Sequence, residues 1–237
     1  MMLGPMGFGG LTGTSQMATS SRFAAWRPQA LDADGEAQYE LRDLRAFSRD
    51  LERTAPVAAG AIQTRASHIV GTGLTLQSRI DAEELGLSDD QASAWQSFTE
   101  RRFSVWAESL FADAHGELNF YEQQELALRS ADASGDSFVL LSSKQRNGWP
   151  FRLATQIIEA DRISNPDNQL NRALLVDGIE RSADGEPLRL HVARYHPGKL
   201  IPSAGNSWTP IDFYGASGRR NVLHLKKMKR PGQTRGL

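Results

Sequence analysis

The chain has 237 residues, no cysteine, 40% apolar and 23% charged residues, and a formal net charge of −1. Without cysteine there is no disulfide scaffold, zinc ribbon, thiol redox motif or cysteine nucleophile. The apolar content excludes a wholly disordered chain, and no apolar run reaches the roughly eighteen residues of a membrane-spanning helix.

Residues 1–35 read as a flexible N-terminal arm. Met1 to Gly13 is rich in Met and Gly, Thr14 to Ser21 is small and polar, and the first basic residue, Arg22, comes too late for a signal peptide. Residues 36–237 read as the folded region. Ala37, Leu41, Leu44, Phe47 and Leu51 recur at helical spacing and predict a buried apolar stripe. Thr54 is placed to cap a second helix with Pro56 in its first turn, ending in Gly71-Thr72-Gly73. Leu74 to Arg79 alternates as a short strand. Ser88-Asp89-Asp90-Gln91 has the form of a capping box, opening a helix expected to bury Trp95, Phe98 and Trp106. A further helix is expected over Leu118 to Ala131.

Beyond Gly135 the period changes from helical to β. Ser137–Ser142, Phe151–Ile158, Leu174–Glu180, Leu188–Tyr195 and Asn221–Met228 read as strands, with Asp184-Gly185 as a hairpin turn. Helices followed by a mainly antiparallel sheet make the fold class α+β.

Charge is unevenly placed. Residues 1–212 hold all 28 acidic residues and 20 of the 27 basic ones, leaving Arg219, Arg220, Lys226, Lys227, Lys229, Arg230 and Arg235 at the basic end. That end is read as a solvated edge, a protein contact or a phosphate-binding surface. It has no aromatic residue beyond Tyr214 on which bases would stack.

A search for chemistry yields no catalytic constellation and implies no cofactor and no metal. Gly71-Thr72-Gly73 follows a helix, where a dinucleotide loop would follow a strand. The five histidines form no metal-ligand spacing, and His191 and His224 read as structural. Glu159-Ala160-Asp161-Arg162 is explained by a turn and a local ion pair, which leaves a metal-dependent nuclease using Asp161 as the weakest reading.

Several strings occur together and in order: Val70-Gly71-Thr72-Gly73-Leu74; Gln156-Ile157-Ile158-Glu159-Ala160-Asp161-Arg162; Gly178-Ile179-Glu180, then Asp184-Gly185 and His196-Pro197; and Val222-Leu223-His224-Leu225. The last is followed by Arg230-Pro231-Gly232-Gln233-Thr234-Arg235-Gly236. Over approximately residues 25 to 237 the chain resembles the lambda-type phage portal protein family, whose first half ends on such a V-L-H segment and R-P-G-Q-x-R-G. The resemblance implies the α+β wing region of a virion structural protein with no enzymatic role. It also implies a dodecameric ring at one capsid vertex that conducts double-stranded DNA during packaging and ejection. The implied partners are other copies of the chain, the terminase large subunit, and capsid and head–tail connector proteins, with no membrane. The implied location is the virion, with assembly in the host cytoplasm. The family's chains are roughly twice as long, so most of the stem, clip and crown is expected to be missing, and the final strand and basic tail to be poorly supported. The competing reading is a free-standing nucleic-acid-binding module using Arg219, Arg220, Lys226, Lys227, Lys229 and Arg230.

Overall fold

The structure, a computed structural model, describes residues 31–37, 40–199 and 205–236. Most of the expected N-terminal arm lies outside these residues. Of its last positions, Ala33–Gly35 open a short helix, α1 (Ala33–Ala37). Helices α2 (Leu41–Thr54), α3 (Pro56–Ile69), α4 (Asp89–Glu108) and α5 (Phe120–Ser134) follow. After them come strands β1 (Asp136–Ser143), β2 (Leu153–Ile158), β3 (Leu175–Val176), β4 (Ile179–Arg181), β5 (Pro187–Ala193), β6 (Trp208–Asp212) and β7 (Val222–Lys226). Helices first, then antiparallel strands, is the α+β order expected.

The helix starts follow from local chemistry. Ser88 and Asn119 each accept a hydrogen bond from the backbone three residues on, and Gln91 and Glu122 reach back to the capping N–H. Thr54 is not the second cap. The residue before a proline is driven to extended backbone, so Ala55 breaks the chain (φ −108°, ψ 107°), with Pro56 as the first helical residue. Thr54 ends α2, its hydroxyl donating to the Asp50 carbonyl at 2.7 Å.

The strands form two sheets, ordered β2-β1-β7 and β3-β4-β5-β6, with every strand pair antiparallel. Between them lies the main core of Phe138, Leu140, Ile158, Ile163, Ile179, Leu190, Val192, Phe213 and Val222. A second cluster forms around Trp106, with Phe103, Phe120 and Phe151 against it, and the Trp106 indole donates to the Leu153 carbonyl at 2.9 Å.

Several expectations are corrected. Leu174–Glu180 is a tight hairpin, because Asp177 (φ 45°) and Gly178 (φ 82°) take the left-handed turn that an Asp-Gly pair favours. Strand β6 was not anticipated. Leu74–Arg79 joins no sheet; side chains of neighbouring helices serve its backbone, with Gln124 bridging both polar groups of Leu74 and Glu100 accepting from Ser78 N. Trp106 is buried as expected, but Trp95 and Phe98 are about half exposed. The expected stripe on α2 faces outward at Leu44, Phe47 and Leu51, and the inward face carries Leu41 and the charged Arg45.

Candidate functional site

The basic end does not hang off the fold. After β7 the chain turns through Pro231-Gly232 and runs inward, burying Gln233, Thr234, Arg235 and Gly236. Gln233 organises the turn: its side-chain oxygen accepts from Lys229 N (2.8 Å) and Arg230 N (3.3 Å), and its amide donates to the Arg235 carbonyl (2.6 Å). Thr234 is held by Asp34 of α1, which accepts from its backbone N–H and its hydroxyl, both at 2.6 Å. Lys226 Nζ donates to the carbonyls of Gln233 (2.5 Å) and Thr234 (2.8 Å). The expectation of a poorly supported tail is therefore wrong. Hydrogen bonds with Asp34, Asp136, Arg181 and Lys226, from four separate parts of the chain, hold its buried backbone.

Arg235 is the deepest element of the motif. Its guanidinium donates to Asp136 at 2.6 Å and 3.3 Å and to the carbonyls of Ala160, Ile163 and Asp177 at 2.7–3.0 Å, and it lies 5.0 Å over the Phe138 ring. Asp136, fully buried at the start of β1, also accepts from Arg45 (2.9 Å) and Gly236 N (3.2 Å), and His224 Nε2 lies 3.2 Å away. His224 stacks on Phe138 at 4.1 Å. One carboxylate thus joins α2, β1, β7 and the C-terminal motif.

Electrostatics follow from this packing. Burial opposes ionisation of Asp136, yet Arg235, His224 and Arg45 together hold its carboxyl well below the usual range. Burial, reinforced by the like charge of Arg235, lowers Arg45 to about 10. Burial also lowers Lys226, to about 8, with Arg181 adding to the effect, and burial lowers His224.

Beside this node lies a groove of about 530 Å³, lined in part by Arg45, Arg49, Asp161, Asn165, His196 and Arg235. Asp161 and His196 of its lining meet Glu159 beside it, the three ligand-type atoms lying within 4.8 Å of one another. Sequence spacing gave no sign of this, since His196 arrives from a distant loop. The cluster contains its own cation. Arg49 bridges Glu159 (3.2 Å) and Asp161, and Arg45 stands 3.8 Å from Asp161. His196 Nδ1 accepts from Gly198 N at 2.9 Å, so the neutral ring carries its proton on Nε2, which faces both carboxylates at 3.5 Å. The ion pair of Asp161 is therefore long-range, and Arg162 instead donates to the carbonyls of Ala193 (2.9 Å) and Arg194 (3.2 Å).

Of the other residues singled out in the sequence, Arg219, Arg220, Lys227, Lys229 and Arg230 are exposed, and Lys226 is turned into the fold. Asp34, Arg45 and Asp136, which hold the motif, carried no sequence signal. Their partners are 88 to 200 residues away.

A motif so deeply built into the fold is expected to characterise a family, and residues 19–237 match the model of the phage portal protein, lambda family. The chain belongs to the lambda family of phage portal proteins. It is 26% identical over 236 residues to portal protein B of Escherichia phage lambda, covering 98% of this chain and 42% of that one. It is also 25% identical over 214 residues to the portal protein of Escherichia phage N15, covering 89% of this chain and 40% of that one. The chain thus spans about two fifths of the length of these curated relatives. Neither match supports a free-standing nucleic-acid-binding module. Among the described residues no helix is long and apolar enough to cross a membrane.

Proposed function

We propose that the chain performs the work of its relatives: a structural, non-enzymatic part of the portal ring at the unique capsid vertex through which double-stranded DNA is packaged and ejected. The observation that carries this reading is the family match over residues 19–237, which includes the Arg230–Gly236 segment. The clamp on Arg235 supports it, since a subunit that bears load during DNA passage benefits from rigid buried cross-links. On this reading the partners are other copies in a dodecameric ring, capsid and head–tail connector proteins, and the terminase large subunit. Assembly begins in the host cytoplasm and ends in the virion. The outward-facing Arg219, Arg220, Lys227, Lys229 and Arg230 would supply partner or DNA contacts.

Immunogold labelling of tagged chain in purified phage heads tests the proposal. One labelled vertex per head is the expected result. Label spread over the whole shell, or absent from heads, would overturn it.

A further inference from the structure

Asparagine or aspartate precedes glycine at four places: Asp34-Gly35, Asn147-Gly148, Asp177-Gly178 and Asp184-Gly185. In such a pair no glycine side chain hinders the backbone, so the glycine nitrogen can reach the carbonyl carbon of the preceding side chain and close a five-membered imide. What decides the reaction is how firmly the two groups are held, and the fold treats the four pairs differently.

Three are restrained. Both carboxylate oxygens of Asp34 accept from Thr234. The Gly178 N–H donates to the Asn165 side chain at 2.7 Å, and Asp177 is tied to Asn171 through its backbone N–H and its carboxylate. The Gly185 N–H donates to the Ser182 carbonyl at 3.0 Å. The fourth pair is open. Asn147 and Gly148 are exposed in the turn between β1 and β2, and among the described residues neither the Asn147 amide nor the Gly148 N–H has a hydrogen-bond partner. One long bond closes the turn, from Trp149 N to the Arg146 carbonyl at 3.2 Å, and a Cβ on Gly148 would meet nothing within 4 Å.

We propose that Asn147 is a site of spontaneous covalent modification, converting to aspartate and isoaspartate with water as the co-reactant. The Gly148 nitrogen gives its proton to solvent base and bonds to Cγ of Asn147. The Cγ–Nδ2 bond breaks, and the leaving nitrogen takes up a proton as ammonia. Water then opens the imide without oxidation or reduction. Breaking the new Cγ–N bond leaves aspartate, whereas breaking the original backbone C–N bond leaves isoaspartate, with the main chain running through the side-chain carbon. Both products carry a new negative charge. The isoaspartyl form also lengthens the backbone between two anchors of the loop: Arg146, which donates to the Asp113 carbonyl at 2.6 Å and lies 4.7 Å over the Phe111 ring, and Trp149, packed edge-on against Phe111 and Phe151.

Peptide mapping by mass spectrometry tests this on chain held in mildly alkaline water enriched in heavy oxygen. The peptide containing residue 147 should split into aspartyl and isoaspartyl forms, each bearing one solvent oxygen. Its rate in the folded chain should lie within about threefold of that in urea, because the site needs no local opening. Isoaspartate at residue 177 should form at least about tenfold more slowly in the folded chain than in urea, because its groups must first be released. Asn147→Gln, whose longer side chain closes this ring poorly, should lose the acidic shift that wild type develops on native isoelectric focusing. An Asn147 that converts in urea but stays intact in the folded chain would overturn the inference, as would an acidic shift that persists in Asn147→Gln. Equal folded and unfolded rates at residue 177 would overturn the claim that hydrogen bonding sorts the pairs.

Discussion

Arg235 and Asp136, 99 residues apart in the chain, meet at 2.6 Å in a site almost closed to solvent. Each would be costly to bury alone. Together, with Arg45 and three backbone carbonyls completing the hydrogen bonding, they lock the C-terminal motif to the first strand.

Removing the carboxylate leaves the buried Arg235 without a paired carboxylate and Arg45 with only Asp161, 3.8 Å away. Asp136→Asn is expected to cost about 3–5 kcal/mol in urea unfolding. Arg235→Lys should also destabilise strongly, because an ammonium on a flexible stem cannot reproduce a planar fork that serves five acceptor contacts. A loss under about 1 kcal/mol in both would contradict the clamp.

Lys226 gives an alkaline signature. Its folded pKa of about 8 lies below the ordinary 10.5, so between these values the unfolded chain holds a proton that the folded chain has released. Stability contributed by this group therefore rises with pH across that window. The neutral amine keeps two N–H donors for the Gln233 and Thr234 carbonyls. Melting temperatures of wild type and Lys226→Met from pH 7.5 to 10 should diverge in favour of wild type as pH rises. Parallel curves would remove Lys226 from the account.

His224 acts on the acid side with the same sign. Burial holds its pKa below 6.5, so on acidification the unfolded chain takes up this proton first and stability falls. Asp136 adds to the loss at lower pH, since its depressed carboxyl gives stability that disappears only as pH falls below the ordinary carboxylate range. Wild type should lose more melting temperature than His224→Asn between pH 6.5 and 5, each measured against its own value at pH 7.

Gly178 carries both halves of the β3–β4 hairpin constraint. Its φ is 82°, and a Cβ there would stand 2.5 Å from Ser164 N, a backbone atom that cannot move aside cheaply. Gly178→Ala should destabilise by more than about 1 kcal/mol, whereas Gly185→Ala, also at positive φ but with nothing within 4 Å of its Cβ, should cost less. Urea midpoints of the two variants decide the order.

Local signals were legible wherever a few neighbouring residues settle the matter. The Ser88 cap, the left-handed Gly71 and the switch to β period after Gly135 are readable from the chain, whereas the Asn119 cap falls inside the helix expected from Leu118. So was the family, through ordered motifs ending in Arg230–Gly236. Asp177-Gly178 shows the limit of such reading. The turn signal was present, but an apolar run on both sides of it read as one strand.

Amino-acid order by itself determined the α+β class, the family and most of the helices and strands, because each depends on periodicity or on groups within a turn of one another. Tertiary structure alone decided which side of each helix is inside. The α2 period predicts an apolar stripe, yet Arg45 is buried and Phe47 exposed, since Asp136 across the fold offers a counter-charge that no local pattern contains. The same holds for the motif. Its basic composition points toward solvent and phosphate, but a guanidinium can be buried wherever folding gathers a carboxylate and three carbonyls around it, and only the assembled chain brings Asp136, Ala160, Ile163 and Asp177 to Arg235.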